Sequence, residues 1–534
     1  MKPTTFEISY ETNEGARRIS ADVSAPFETQ DLIVSPCVDG SRISCAIETK
    51  TALTVTGFSL ELAHEFGARS RILVNGYQSW TDTVELSVKS RMHGVNDIPK
   101  PVLRKWVLDG SGDYRFAGYD GKPGHLHGYT YAYMRADDAC ELVGSLDESY
   151  GFTKLEVLAD EGKVVVRPEV PFDRLEAHET HTLVQLALVR GSVDECFDAW
   201  FSLSGITART TRPIVGYTSW YRHYYDIDEA KLTADLEAAR DAFAQVETGD
   251  ALKVFQIDDG YCTIGDWLDV NPEKFPQGLA PLGGSARDAG FTPGLWIAPF
   301  VCEKDSRLFK EHPDWLLRDD GGNPVKTGCH WSGGYALDTR TGAFRSYLAE
   351  VLQAITRDWG FRLLKIDFLY AACMLPHDGC NRGQLMYDAL ELVRSAVSDD
   401  VLLLGCGVPL GSAFGIVDYC RIGCDVGLDW DGKLYMRGLD RERVSTKRSL
   451  ANTIGRGPLD GRAFANDPDV FFLRNDVKLN ASQRALLLET DCTHASMLMT
   501  SDDMRSWGER ARVRYQHAVR ALLDRTGANT TGKA

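Results

Sequence analysis

The run Leu363-Leu364-Lys365-Ile366-Asp367-Phe368 decides the fold. Four of its six residues are apolar, as in a strand buried on both faces of a parallel sheet. Lys365 and Asp367 stand two residues apart, so on a strand both side chains leave the same face. Burying two charges there is costly unless each has a partner or a task. A structural ion pair in the core would satisfy that condition. The balance tips because other runs share the form, an apolar stretch ending in one or two polar residues.

Those runs lie downstream of residue 213, at 214–220, 254–261, 293–299, 363–368, 401–406, 419–424, 469–473 and 496–500. Amphipathic segments separate them, at 228–246, 341–359, 382–395, 480–489 and 505–524. In the second segment Phe344, Leu348, Val351, Leu352 and Ile355 recur at the helical period. Eight strands with intervening helices is the count of a (β/α)8 TIM barrel. An open doubly wound sheet would usually carry a Gly-rich phosphate loop after its first strand. Tyr217-Thr218-Ser219-Trp220-Tyr221-Arg222 is not such a loop. Gly405-Cys406-Gly407-Val408-Pro409-Leu410-Gly411 has the wrong glycine spacing for a dinucleotide fingerprint and contains a proline.

Upstream, from Thr5 to about Val189, short alternating runs such as 53–58, 70–74 and 163–167 are broken by turn clusters like Gly121-Lys122-Pro123-Gly124. Almost nothing there has helical period, which predicts an antiparallel β-sandwich. In Asn75-Gly76-Tyr77-Gln78-Ser79-Trp80 the Asn-Gly pair marks a tight turn. The aromatics beside it either fill a sandwich edge or face a sugar. Helical period returns at 193–201, and the polar stretch 207–212 resembles a linker. The expected domains are a sandwich over 1–190, a helical linker over 191–212 and a catalytic barrel over 213–534.

At 534 residues the chain exceeds one ordinary core. Its 43% hydrophobic and 25% charged residues are those of a soluble globular protein. A net charge of −17 speaks against nucleic acid or an anionic membrane as the main partner. The N-terminus lacks a signal-peptide apolar core, and no stretch reaches the roughly 18 apolar residues of a spanning helix. The thirteen cysteines are odd in number and scattered, many inside apolar strands; reduced thiols in a cytoplasm are expected. The sequon Asn480-Ala481-Ser482 then carries no meaning.

In a TIM barrel chemistry sits at the C-terminal strand ends. Here those ends supply Trp220 and Tyr221, Asp258 and Asp259, Trp296, Lys365 and Asp367, Cys406, Arg421 and Asp425, and Asp467 with Asp469. Tryptophans offer apolar faces for the C–H surface of a pyranose, while Asp and Lys can hold its hydroxyls. Metal binding competes for so many acids, but no His pairs with them at ligand spacing and Cys420-x3-Cys424 is not a zinc pair. Two carboxylates are the minimum for glycoside hydrolysis. Asp367, beside Lys365, is favoured as the ionised member and suits a nucleophile. Asp425 must be protonated to meet the leaving oxygen, and an ionised Asp367 nearby would raise its pKa. Arg421 would oppose this if it paired with Asp425; a role towards a substrate hydroxyl is expected instead.

Asp258-Asp259-Gly260-Tyr261, Gly265-Asp266-Trp267 and Asn271-Pro272-Glu273-Lys274-Phe275-Pro276 resemble glycoside hydrolase family 36, the microbial α-galactosidases or melibiases. So do Gly294-Leu295-Trp296-Ile297-Ala298-Pro299-Phe300 and His312-Pro313-Asp314-Trp315. Lys365-Ile366-Asp367-Phe368 resembles the family's nucleophile strand, Arg421-Ile422-Gly423-Cys424-Asp425 its acid/base strand, and Asn466-Asp467-Pro468-Asp469 its seventh strand. The phrase 75–80 also looks like this family.

The resemblance implies a retaining, exo-acting α-galactosidase with no cofactor and no metal. Asp367 would be the nucleophile and Asp425 the acid/base, their carboxyls roughly 5–5.5 Å apart. Asp258 and Asp259 would hold the 4- and 6-hydroxyls, Lys365 the 3- and 4-hydroxyls, and Cys406 and Arg421 the 2-hydroxyl side. Trp220, Tyr221 and Trp296 would form apolar walls, with Trp80 reaching across from the sandwich. The partner is a small-molecule α-galactoside, with no nucleic acid or membrane, and a homo-oligomer is left open. Many members carry a further β-rich domain, expected here to be absent or curtailed because only residues 525–534 follow the last helical segment. Residues 405–411 depart from the Cys-Ser-Gly-Gly-Gly form of larger members, which leaves α-N-acetylgalactosaminidase as an alternative. A raffinose- or stachyose-type transglycosylase and a non-enzymatic galactoside-binding protein are the others.

Overall fold

A computed structural model describes residues 1–95, 98–171, 173–432 and 441–528; the last six residues of the expected barrel lie outside them. Downstream of residue 213 a parallel sheet contains Ile214–Thr218, Leu252–Ile257, Thr292–Ile297, Leu363–Ile366, Leu402–Gly405, Tyr419–Arg421, Ala465–Asp467, Val470–Phe471 and Met497–Thr500. The first six of these strands neighbour one another in chain order, and Met497–Thr500 pairs with Ile214–Thr218. The two ends of the sheet are Ala465–Asp467 and Val470–Phe471, separated in the chain only by Pro468 and Asp469. The sheet therefore curls back on itself. Its one break has a local cause: Pro468 has no N–H for a ladder, and Asp469 takes a left-handed φ of 85°. The strand expected over 469–473 is thus the second half of an interrupted strand that begins at Ala465.

The expected helices form, three of them started by side-chain caps. Asp228 caps Glu229–Phe243 and Asn381 caps Arg382–Ala396, each accepting a backbone N–H three residues on. Asn480 and Gln483 form a capping box on Ala481–His494. Gly342–Gln353 runs on into a wider turn over Ala354–Asp358. Ala280–Asp288 and Thr446–Gly455 were not read from sequence; Gly283 and Gly284 weaken the helical signal of the first. Between the fifth and sixth strands there is a single helical turn, Leu410–Ala413. An antiparallel insertion of Val301–Glu303, Lys326–Gly328 and Gly334–Ala336 follows the third strand and was also unforeseen.

The region before residue 192 consists of a six-stranded and an eight-stranded antiparallel sheet. Phe6, Ile8, Leu60 and Leu62 of the first share one buried cluster with Val34, Ile47, Ile72 and Leu186 of the second. Strand Tyr131–Ala136 shows why: Ala132 and Met134 enter that cluster, while Tyr131 and Tyr133 enter the cluster that continues into the parallel sheet. This period of two covers both faces of the eight-stranded sheet. Helix Val193–Ser204, closed by a Ser192–Glu195 capping box, lays Cys196, Phe197, Trp200 and Phe201 on its second face. The helix Lys100–Trp106 corrects the expectation of a region without helical structure. Among the described residues no helix is long and apolar enough to cross a membrane, and all thirteen cysteines are unpaired.

Candidate active site

At the C-terminal ends of the parallel strands lies a cavity of about 370 Å³, within the range of small-molecule sites. Each strand delivers its residues by ending there. The first runs into the short helix Trp220–His223, the second stops just before Asp258 and Asp259, and the fourth carries Lys365 and then Asp367. The sixth ends on Arg421, four residues before Asp425. All the residues singled out from sequence line this one cavity except Cys406 and Asp467. Trp80 is among them, reaching in from the loop after the seventh N-terminal strand, Arg71–Val74. The Cys406 thiol lies behind the wall, where it accepts the Trp80 indole N–H at 3.2 Å.

The hydrogen bonds correct two expectations. Lys365 Nζ donates to Asp258 Oδ2 at 2.9 Å, rather than to its strand neighbour Asp367. Inward-pointing residues of the fourth and second strands meet across the curled sheet. Burial is the largest single influence on Lys365 and acts to lower its pKa, but Asp258 together with Asp367 and Cys406 outweighs it and the net shift is upward. Gln256 Nε2 also donates to Asp258 Oδ2, at 2.8 Å. Arg421, expected to face a hydroxyl, instead spans three carboxylates: Asp425 Oδ1 at 3.0 Å, Asp467 Oδ2 at 3.1 Å and Asp469 Oδ1 at 2.9 Å.

Asp367 is held from both sides, Oδ2 by the Trp296 indole N–H at 3.0 Å and Oδ1 by the Phe368 backbone N–H at 2.8 Å. Asp425 keeps 41% of its side-chain surface accessible. Its pKa is raised, first by removal from bulk water in the cavity and then by Asp367 and Asp258, against the opposing pull of Arg421 and Lys365. The direction is the expected one, although the neighbouring carboxylate is not the leading cause. Asp259 is pushed up to about 7, mainly by burial.

Several lining residues were not read from sequence. Trp331, from the antiparallel insertion, donates its indole N–H to Asp259 Oδ2 at 2.8 Å. Tyr225, His330, Trp106 and Glu442 also line the cavity. The Gly-Cys-His-Trp-Ser-Gly-Gly text at 328–334 is a turn cluster with an aromatic core and could have flagged the insertion. Trp106 and Glu442 carry no comparable signal. As for metal, His125, Asp160 and Glu161 gather near the surface outside this cavity, and both ring nitrogens of His125 already contact Asp120 and Asp160.

The melibiase family model matches residues 203–372, which contain the first four parallel strands. Alpha-galactosidase 1 of Pediococcus pentosaceus is 26% identical over 216 residues, 36% of this chain and only 27% of that protein's length. TtGalA, the α-galactosidase of Thermus thermophilus solved in complex with stachyose, is 25% identical, with a TM-score of 0.71 over 93% of this chain and 99% of that one. The family 36 α-galactosidase AgaA of Geobacillus stearothermophilus, 13% identical, shares the fold with a TM-score of 0.59 over 98% of this chain and 69% of that one. The resemblance to glycoside hydrolase family 36 is borne out by these matches.

Proposed function

We propose that the chain is a retaining, exo-acting α-galactosidase that releases terminal α-galactosyl residues through a covalent galactosyl-enzyme. The observation that carries this is the entry of Asp367 and Asp425, from the fourth and sixth strands, into one cavity. The likeness to TtGalA, solved with stachyose, supports the substrate class. In architecture the chain is an N-terminal β-sandwich (1–190), a helical linker (191–212) and a (β/α)8 barrel (213–534). Counting Ala465–Asp467 and Val470–Phe471 as one interrupted strand gives the barrel its eight. A cytoplasmic setting fits the unpaired thiols.

In the first step an Asp367 oxygen attacks the anomeric carbon while Asp425 gives its proton to the glycosidic oxygen. In the second, Asp425 takes a proton from water, which attacks the same carbon from the face the leaving group vacated and breaks its bond to Asp367, freeing that carboxylate. Two inversions retain the α configuration. The Trp296 and Phe368 N–H groups orient the nucleophile. Asp258, fixed by Lys365 and Gln256, and Asp259, fixed by Trp331, bind hydroxyls of the galactosyl ring. Trp80, Trp220, Tyr221 and Trp296 wall it, and Cys406 acts by seating Trp80 rather than by touching the sugar.

The test is hydrolysis of aryl α-galactoside against aryl α-N-acetylgalactosaminide by wild type and Asp367→Ala. The galactoside is expected to be cleaved with α-galactose as first product. Asp367→Ala should lose about 10⁴-fold or more, and azide should restore turnover as β-galactosyl azide. Turnover surviving in Asp367→Ala, or β-galactose as first product, would remove the retaining assignment. Preference for the galactosaminide would replace the substrate.

A further inference from the structure

We infer that Asp469 is the positioning residue that holds the proton donor Asp425 in place, gripping it from two directions. This rests on Asp425 being the acid/base of an α-galactosidase. On one side Asp469 Oδ1 accepts from Arg421 Nη2 at 2.9 Å, and Nη1 of the same guanidinium donates to Asp425 Oδ1 at 3.0 Å. On the other, Asp469 Oδ2 accepts the backbone N–H of Val426, the residue after Asp425, at 2.9 Å. The same oxygen accepts the Tyr221 hydroxyl at 2.5 Å, so the first strand's helical turn is tied to the acid loop as well. The Asp469 backbone N–H donates to Asp467 Oδ1 at 2.9 Å.

The backbone corroborates this placement. Asp469 is 2% exposed and stands at φ 85° in the gap between the two halves of the seventh strand. A non-glycine residue is strained there and persists only where its surroundings hold it. An uninterrupted strand would send this carboxylate elsewhere, so the break is what turns it to the loop of Asp425. The charged and titratable groups facing Asp469 are Arg421, Asp425, Asp467, Tyr221 and Asp491 of helix Ala481–His494. Those facing Asp425 include Arg421, Lys365, Asp367, Asp258, Asp469, Tyr221 and His330. The Asp425 carbonyl accepts the Ser445 backbone N–H at 3.2 Å, but among the described contacts the carboxylate itself is hydrogen-bonded by Arg421 alone, and a donor displaced by about 1 Å can cost ~10²-fold.

The test separates placement of the donor from general damage by varying the leaving group. A glucose leaving group needs a proton; a dinitrophenolate does not. The ratio of kcat/KM for an α-galactosyl-glucose disaccharide to that for dinitrophenyl α-galactoside is independent of the fraction of enzyme that is folded. In Asp469→Asn, which retains one acceptor but loses the carboxylate grip, this ratio should fall about 10²-fold. Tyr221→Phe, which removes one hydroxyl, should lower it about tenfold. An unchanged ratio in Asp469→Asn overturns the inference; should that variant not fold, an unchanged ratio in Tyr221→Phe does so. Asp425→Ala is the reference. If it too keeps the wild-type ratio, the acid assignment itself fails, and that failure is distinguishable from the loss of the Asp469 role alone.

Discussion

On the proposed mechanism Asp425 must carry a proton when it meets a sugar leaving group, and its surroundings set when it does. Its confinement in the cavity raises the pKa, with Asp367 and Asp258 adding to the rise and Arg421 and Lys365 subtracting from it. The protonated form therefore persists to a pH at which an ordinary aspartate is ionised, and it is lost as pH rises through the elevated value. For a disaccharide substrate kcat/KM should fall on the alkaline side with that group's titration. In Asp425→Ala assayed with dinitrophenyl α-galactoside the same limb should vanish. A wild-type limb persisting in that variant would assign it to another residue. At this scale the sequence was informative about which residues meet, because strand ends converge wherever the sheet curls. It said little about pairing. Lys365 bonds Asp258 across an intervening strand, which no local spacing encodes; Arg421 reaches Asp467 on the neighbouring strand and Asp469 beyond it, and only its pair with Asp425, four residues on, lies within one stretch of sequence.

Among the elements, the antiparallel insertion of Val301–Glu303, Lys326–Gly328 and Gly334–Ala336 most alters the site. It brings Trp331 over Asp259 and packs its ring against Phe368 and Trp296, with centroids 5.1 and 6.3 Å away. The indole N–H also lowers the Asp259 pKa against the larger effect of burial. Trp331→Phe keeps an aromatic ring, though a smaller one, and removes the donor. A hydrogen bond to a charged group contributes about 1.5–3 kcal/mol, so kcat/KM for α-galactosides should fall roughly 10–100-fold, with thermal stability little changed. Equal kinetics in the two proteins would show that Asp259 needs no support. Long regular elements were legible because their apolar period extends over several turns, as in Gly342–Gln353. Short ones were not: three-residue strands hold too few positions for any period, and Pro468 with Asp469 divides the seventh strand, so that only its second half was read as a strand.

For the whole molecule, the N-terminal sheets bear directly on the cavity as well as on the core. Trp80 lines the cavity on a loop that is anchored by a residue of the other half of the chain. Arg456 is fully buried and follows helix Thr446–Gly455. Its guanidinium donates to Asn75 Oδ1 at 3.0 Å, Ser79 O at 2.6 Å, Gln78 O at 3.1 Å and Ile422 O at 3.0 Å. No carboxylate ion-pairs with it among the described residues, and burial lowers its pKa to about 10. The backbones approach so closely at the preceding residue that a Cβ on Gly455 would lie 2.1 Å from Thr83 O, which explains a glycine at the helix end. Arg456→Met would leave Ser79 O and Ile422 O buried without a donor, each costing about 1–3 kcal/mol before any relaxation, while Gln78 O keeps the Thr81 N–H and Asn75 Oδ1 the Thr83 hydroxyl. The expected outcome is a melting temperature lowered by several degrees together with a raised KM, because the loop that carries Trp80 loses its anchor. Trp80→Ala is the companion variant: it should raise KM comparably while leaving the melting temperature close to wild type. If Arg456→Met loses stability yet binds α-galactosides as wild type does, the N-terminal sheets support the fold alone and Trp80 holds its place in the cavity without this arginine.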